Sequence, residues 1–154
     1  SNNSICFRLA TVFGASPRMR MDLMVNDFVY RALTDRVIVL FEGHFMRNYI
    51  HIQDIVSAFM YAIDNQGYLI GDVFNLGNDE INMSKKALCE VIQEHIDFEL
   101  LEAPTHSDPD QRNYIVSSQK LYNAGWTPKY DLSTGIEELK KAYAIVKPTQ
   151  FRNY

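Results

Sequence analysis

Arginine is the residue type in this sequence with the most specific binding chemistry. Its guanidinium is planar and can donate two parallel hydrogen bonds to phosphate or carboxylate oxygens. Arg47 lies in the segment MRNY, which we expect to be a short polar loop just before a strand, and Arg112 lies in the segment QRNY. Taken alone, each is interpreted more simply as a surface residue in an ion pair, and Asp108 or Asp110 is the expected partner of Arg112.

A second group of polar residues surrounds the start of a predicted helix. Arg18 and Arg20 lie in the loop before it, and Asp22 is expected to cap it. The first turn of a helix exposes backbone N–H groups that favour an anion or a hydroxyl group. Asn26 lies one turn further along, on the same side as Asp22. Both side chains are therefore candidates for ligand contact, and a solvated helix face is the alternative.

His51 and Asp54 are interpreted as structural residues. His51 alternates with two isoleucines in a short extended segment, and Asp54 is expected to cap the helix that follows. The two cysteines, Cys6 and Cys89, lie in apolar stretches without a C-x-x-C pair. Neither a metal site nor a redox motif is predicted from them.

The composition limits the class of protein. A chain of 154 residues with 47% hydrophobic residues fits one compact domain with a real core. A net charge of −4 argues against a general nucleic-acid binder, which needs a basic surface. No apolar run reaches the roughly 18 residues that a membrane span requires, and no signal peptide is visible. We expect a cytoplasmic location.

Hydrophobic periodicity predicts interleaved strands and helices, which is an α/β organisation. Strands are expected over residues 4–13, 36–41, 73–76 and 98–101. Helices are expected over residues 22–34, 54–64, from Asn82 or Ser84 to about 96, over 118–124, and over 134–146 with Ser133 as the cap.

Four segments, in this order, resemble the extended short-chain dehydrogenase/reductase family, which includes nucleotide-sugar epimerases and dehydratases. Residues 7–14 (FRLATVFG) resemble the family's L-R-x-x-N-x-Y/V-G, and residues 46–54 (MRNYIHIQD) are close to R-D-Y-I-H-V-x-D. Residues 74–77 (FNLG) match Y/F-N-[IVL]-G. Residues 110–114 (DQRNY), with 125–128 (GWTP), resemble the D-x-R-x-Y…L-G-W-x-P ending.

The resemblance implies that the chain is the C-terminal, substrate-binding half of such an enzyme. Residues 1–14 would be the end of a Rossmann-type sheet, residues 15–148 the substrate-binding α/β domain, and residues 149–154 a loose tail. The cofactor fingerprint G-x-x-G-x-x-G and the catalytic Y-x-x-x-K would precede this chain, and we expect neither in it. A β-rich run at the very start also favours a fragment. Partners would be the absent Rossmann half and a nucleotide-diphosphate sugar, with self-association through an uncovered face.

The resemblance also assigns roles to individual residues. Arg47 would contact the pyrophosphate of a nucleotide sugar, and Arg112 a phosphate or ribose. Thr11 stands where epimerases often have asparagine near the sugar; its hydroxyl can still donate and accept, but its side chain reaches less far. Ala10 would touch the nicotinamide end of NAD or NADP through its backbone. The substrate-facing stretch would include Arg20, Asp22, Leu23 and Asn26.

In the whole enzyme, the resemblance implies that a tyrosinate removes a sugar hydroxyl proton while hydride passes to the nicotinamide. This chain would supply binding energy remote from the reacting carbon, and we expect no catalytic residue, metal or bound cofactor in the chain alone. An epimerase and a 4,6-dehydratase both fit. The alternative is a stand-alone nucleotide-binding or interaction module without catalysis.

Overall fold

The computed structural model describes residues 3–103 and 112–145. In these two stretches the strands are β1 (Cys6–Leu9), β2 (Thr11–Phe13), β3 (Val37–Leu40), β4 (Met46–His51), β5 (Val73–Leu76), β6 (Asn82–Ser84) and β7 (Glu99–Glu102). The helices are α1 (Met24–Thr34), α2 (Ile52–Asp64), α3 (Gln66–Leu69), α4 (Lys85–Gln93), α5 (Gln119–Asn123) and α6 (Leu132–Ile145), with a 3-10 turn at Asp79–Ile81. The α/β organisation is confirmed. The proposed tail at 149–154 lies outside the described residues.

The strands pair mostly in parallel. β1 runs parallel to β5, β2 to β4, and β3 to β7, whereas β6 runs antiparallel to β4. The single strand predicted over residues 4–13 is wrong in one respect, because the chain changes neighbour at Ala10. Its N–H still donates to the carbonyl of Leu76 at 2.9 Å, after which the pairing passes from β5 to β4. This change of neighbour brings the end of β1 and the start of β2 beside the strand that carries Arg47.

Strand β4 separates two hydrophobic cores. Side chains of successive strand residues point to opposite faces, and here Tyr49 packs into one core while Ile50 packs into the other. The first core lies between α1, β3, α4 and α6. The second lies between β1, β5, α2 and α5. The domain boundary expected at residue 14 stays a prediction.

Three of the expected helix caps are wrong, those at Ser133, Asp54 and Asp22. Ser84 caps α4 as predicted, with its Oγ accepting a hydrogen bond from the Ala87 N–H at 3.1 Å. The last helix is capped by Asp131, whose Oδ1 accepts from the Thr134 N–H at 2.7 Å, and not by Ser133. Both residue types favour the cap position, so composition alone does not choose between them.

Asp54 is the second wrong cap, because His51 takes that position. The Nδ1 of His51 accepts from the Gln53 N–H at 3.3 Å, and α2 begins two residues earlier than predicted. Asp54 is instead fully buried and accepts from the backbone N–H groups of Lys129 at 2.9 Å and Tyr130 at 3.1 Å. Its carboxylate therefore fixes the segment before α6 against α2.

Within the described residues, no helix is long and apolar enough to cross a membrane.

Replacing Asp54 by alanine removes the acceptor for two backbone N–H groups. Unsatisfied partly buried donors and lost charge-assisted bonds each cost about 1–3 kcal/mol, so we expect a loss of about 3 kcal/mol in the free energy of unfolding, measured by urea denaturation. Asp64→Ala, at the exposed end of the same helix, should stay within about 0.5 kcal/mol of the parent. Equal effects of the two changes would contradict the role given to Asp54.

Candidate functional site

A cavity lies where strand β1 ends and strand β2 begins. Its volume is about 550 Å3, and its wall is formed by the β1–β2 junction, the start of α1, strand β4 and the segment that begins at Arg112. The lining residues are Leu9, Ala10, Thr11, Val12, Arg20, Asp22, Leu23, Met24, Asp27, Phe28, Arg47, Arg112 and Tyr114. The resemblance assigned a substrate or cofactor contact to eight residues. Seven of them line this one cavity.

Arg47 is positioned by strand β4 and not by a loop. It lies within the antiparallel pairing of β4 with β6, opposite Met83, and the residue is only 1% exposed. The expected loop before the strand is therefore wrong, because the β4–β6 ladder already begins at Met46. One guanidinium nitrogen of Arg47 donates to the carbonyl of Met46 at 2.9 Å. A strand and a backbone bond thus hold the guanidinium at the cavity wall.

Tyr114 is the lining residue whose role sequence reasoning missed. Its ring centroid lies 5.4 Å from the guanidinium carbon of Arg47, within the range of a cation–π contact. Its N–H donates to the carbonyl of Met46 at 3.2 Å, and its hydroxyl lies 3.5 Å from the Oγ1 of Thr11. The DQRNY segment was the signal in the sequence, but it gave no indication that the tyrosine packs on Arg47.

Arg20 and Asp22 form an exposed ion pair at the rim of the cavity. The Nε of Arg20 donates to Asp22 Oδ1 at 3.0 Å, and this hydrogen bond lowers the pKa of the Asp22 carboxyl below its usual value. Asp22 therefore does not cap α1 as predicted. The cap position belongs to Leu23, which has extended backbone angles and no side-chain cap.

Asn26 is the predicted site residue that the structure does not place in the cavity lining. Its side chain is 2% exposed, with Oδ1 accepting from the Gly14 N–H at 3.1 Å and Nδ2 donating to the carbonyl of Arg20 at 2.9 Å. Both ends of the amide are used by the fold. Asn26 holds the loop between β2 and α1, and so sets the position of Arg20, but the expected contact with a ligand is not supported by its placement.

The charges of the lining are three arginines and two aspartates. Asp22 pairs with Arg20, and Asp27 pairs with Arg31 of the same helix at 2.8 Å. On the side of α1, Leu23, Met24 and Phe28 make the wall apolar. The cavity therefore combines an arginine-bearing side with an apolar side, which suits an anion joined to a flat or hydrophobic group.

His51 is structural, as its position in the sequence indicated. It is fully buried, its Nε2 lies 2.9 Å from the Glu138 carboxylate, and its ring stacks on Tyr130 with centroids 4.5 Å apart. A carboxylate only accepts, so Nε2 carries the proton and Nδ1 is left to accept from the Gln53 N–H. The imidazole joins α2 to α6 and lies away from the cavity lining.

The expectation that the pattern Y-x-x-x-K does not occur in this chain is wrong. Residues 143–147 match it, with Tyr143 four residues before Lys147. The structure gives Tyr143 a different role. Its hydroxyl donates to the carbonyl of Asn26 at 2.9 Å, and burial raises the pKa of its phenol above the usual value. A tyrosine acting as a base needs a pKa shifted the other way, towards neutrality. Lys147 lies outside the described residues.

Comparison with known proteins relates the chain to the NAD-dependent epimerase/dehydratase family. The family model described as "NAD dependent epimerase/dehydratase family" matches residues 2–77. The chain is 27% identical over 101 residues to CDP-paratose 2-epimerase of Salmonella typhi, which is 63% of this chain and 30% of that protein. It is 26% identical over 149 residues to dTDP-4-dehydro-6-deoxyglucose reductase of Escherichia coli, which is 92% of this chain and 45% of that protein.

Solved structures show the same fold. UDP-glucose 4-epimerase from Thermotoga maritima, solved with UDP-glucose, superposes with a TM-score of 0.74 at 24% identity and covers 92% of this chain and 46% of that one. The enzyme of the same name from Thermus thermophilus, solved with NAD, gives 0.73 at 20% identity over 91% and 46%. The chain thus spans about a third to a half of the length of the relatives it matches.

Tyr143→Phe tests whether this tyrosine is structural. Loss of its hydrogen bond to the Asn26 carbonyl should cost about 1 kcal/mol in the free energy of unfolding. Tyr30→Phe is the matched control, because that ring packs edge-to-face on Tyr143 at 5.4 Å and the change keeps the ring contact. We expect a smaller effect from the control. No difference between the two variants would contradict the assignment.

Proposed function

We propose that this chain is the nucleotide-sugar-binding part, and in order along the protein the C-terminal half, of an NAD(P)-dependent nucleotide-sugar epimerase or dehydratase. The observation that carries the proposal is the cavity of about 550 Å3, which gathers Arg47, Arg112 and five other residues singled out from the sequence. Its size lies within the range of small-molecule sites, about 300–1,000 Å3. The family relationship supports the same class of ligand.

Arg47 is the proposed main contact to the diphosphate. A nucleotide diphosphate presents negatively charged oxygens that a planar guanidinium can bind in pairs. Arg47 is buried, and both the carbonyl of Met46 and the ring of Tyr114 hold its guanidinium. A guanidinium that is already positioned loses little conformational entropy when it binds a phosphate.

Arg112 is the proposed second contact. It is exposed and lines the same cavity as Arg47, so the two guanidinium groups can approach a diphosphate from different sides. Thr11 and Tyr114 offer hydroxyl groups between them, which suits sugar or ribose hydroxyls. We assign the apolar wall of Leu23, Met24 and Phe28 to the nucleoside, and the exposed Arg20–Asp22 pair to the rim.

We propose that the cradle for a dinucleotide cofactor lies outside this chain. A Rossmann-type site holds the pyrophosphate on a glycine-rich turn at a helix N-terminus, and no G-x-x-G-x-x-G occurs in these 154 residues. Ala10 lines the cavity and is the proposed backbone contact to the nicotinamide end of NAD or NADP. When bound, the cofactor would supply hydride transfer, and we assign the groups that hold it to another part of the protein.

Helix α2 presents a face that fits such a companion part. Val56, Phe59, Met60 and Ile63, spaced as neighbours on one helix face, are between 46% and 59% exposed. Within the described residues β1 pairs with β5 alone, which leaves its other edge open. The matched solved structures are about twice as long as this chain. We propose that the cofactor-binding half of the same polypeptide covers this face.

Binding of UDP or dTDP tests the nucleotide site. We expect either nucleotide to raise the melting temperature of the chain weakly, and Arg47→Ala to abolish the shift. Losing one charge-assisted contact costs about 1.5–3 kcal/mol, which corresponds to roughly a 10- to 150-fold weaker Kd by titration calorimetry.

Three further variants make this test decisive. Arg47→Lys keeps the positive charge but loses the pair of parallel hydrogen bonds that a guanidinium donates. It should therefore bind the nucleotide with an affinity between those of the parent and Arg47→Ala. Arg112→Ala keeps the buried strand intact and should also weaken binding. Arg8→Ala removes an arginine outside the cavity and should bind like the parent. Unchanged melting shifts in both Arg47→Ala and Arg112→Ala would defeat the assignment.

Uncovered, the α2 face should make the isolated chain self-associate at high concentration, since exposed apolar patches favour association. Light scattering should show dimers or larger species, and Met60→Lys with Ile63→Lys should return the chain to a monomer. Val39→Lys, at an exposed position of strand β3, is the control and should not. A parent chain that stays monomeric at high concentration would count against this interface.

A further inference from the structure

A second cluster of reactive groups lies outside the nucleotide cavity, where the end of α4 meets the start of α6. His95 follows α4 and makes a hydrogen bond with each ring nitrogen. Its Nδ1 lies 2.9 Å from the Glu137 Oε1, and its Nε2 lies 3.2 Å from the Ser133 Oγ. Ser133 and Glu137 are one turn apart on α6, so both side chains reach the same imidazole.

The hydrogen-bond partners determine where the imidazole proton lies. A carboxylate only accepts hydrogen bonds, so Nδ1 of His95 must be the donor to Glu137. In the neutral imidazole Nε2 is then the acceptor, and the hydroxyl of Ser133 must donate to it. This order of carboxylate, imidazole and hydroxyl is the one that activates a nucleophilic serine in hydrolases.

The charged surroundings keep the carboxylate ionised. Lys140 donates to Glu137 Oε1 at 2.7 Å and to the carbonyl of His95 at 3.1 Å. These hydrogen bonds, that of Lys140 first and that of His95 second, lower the pKa of the Glu137 carboxyl below its usual value. Asp131 is the other charged group near the imidazole. The ion pair with Lys140 fixes Glu137, while His95 remains 18% exposed at its side chain.

The position of Ser133 in the helix adds to the arrangement. Ser133 is half-buried in the first turn of α6, after the Asp131 cap. Backbone N–H groups of a first helical turn have no partner within the helix, and here the Thr134 N–H already donates to the Asp131 carboxylate. A second cavity of about 300 Å3 reaches Asp131 and is lined in part by Tyr122, Pro128 and Tyr130. The cavity ends at Asp131, two residues before Ser133, and its lining does not include Ser133 or His95.

We propose that Ser133, His95 and Glu137 form a serine nucleophile site that reacts with small uncharged acyl esters. Ser133 Oγ attacks the ester carbonyl carbon while its proton passes to Nε2 of His95. The tetrahedral intermediate collapses, the C–O bond to the leaving group breaks, and the alcohol leaves with that proton. A water molecule, deprotonated by Nε2, then attacks the acyl-serine, which releases the carboxylic acid and restores the Ser133 hydroxyl. Glu137 is a positioning residue that orients the imidazole.

A fluorophosphonate probe on the whole chain tests this site. It should modify Ser133, identified by peptide mass mapping, and Ser133→Ala should lose the modification. His95→Gln should slow the modification about 100-fold, the range expected for loss of a general base.

Ser117 is the matched control serine, because it is exposed and hydrogen-bonds the carboxylate of Asp79 at 3.1 Å without an imidazole. Ser117→Ala should leave the modification rate unchanged. Glu137→Gln keeps the shape of the side chain and should reduce the modification rate and alter the pH profile of that rate. This variant tests the site even if His95→Gln does not fold. A Ser133 that reacts no faster than Ser117, or a rate unaffected by Glu137→Gln, would show that the cluster only joins two helices.

Discussion

The fold depends on burying the polar side chains of strand β4. Five successive residues of the strand, from Arg47 to His51, are buried, and three of them carry a guanidinium, an amide or an imidazole. Burying such groups is costly unless they are hydrogen-bonded. The chain meets this constraint from other elements, because Met46 and Tyr114 hold Arg47, Asn78 accepts from Asn48 at 2.6 Å, and Glu138 binds His51. The cavity wall is thus part of the structural core.

The same constraint explains a glycine in the FNLG segment. A Cβ on Gly77 would lie 2.1 Å from the Oδ1 of Asn48, which real atoms do not allow. Only a residue without a side chain lets β5 end beside the buried amide of β4. That Oδ1 has no hydrogen-bond partner among the described residues, while the Nδ2 of the same amide is satisfied. The amide of Asn48 thus packs closely against Gly77 and makes one hydrogen bond, through Nδ2, where it could make more.

The sequence predicted local features well and long-range ones poorly. Strand 73–76 and the Ser84 cap depend on neighbours along the chain, and both are confirmed. Asp54 was predicted to cap its own helix, because a sequence shows only the partners that lie nearby along the chain. Its actual hydrogen-bond donors lie 75 and 76 residues away. Strand β6 was not predicted, because three residues are too few to show the alternation of polar and apolar residues that is typical of a strand. These residues form a strand only by pairing with β4.

The candidate site was predicted by resemblance at the level of residue identity and not of geometry. Thr11 illustrates the difference, since a threonine where related enzymes often have asparagine suggested only a shorter reach. Its Oγ1 lies 3.5 Å from the Tyr114 hydroxyl, so a second hydroxyl group, which the sequence did not predict there, lies beside that of Thr11. A hydroxyl rotates and can donate or accept, whereas an amide fixes which of its atoms does each. In the proposed site, this part of the wall can therefore donate to or accept from a ligand hydroxyl. Selection between ligands then depends on Arg47, which the fold holds in place.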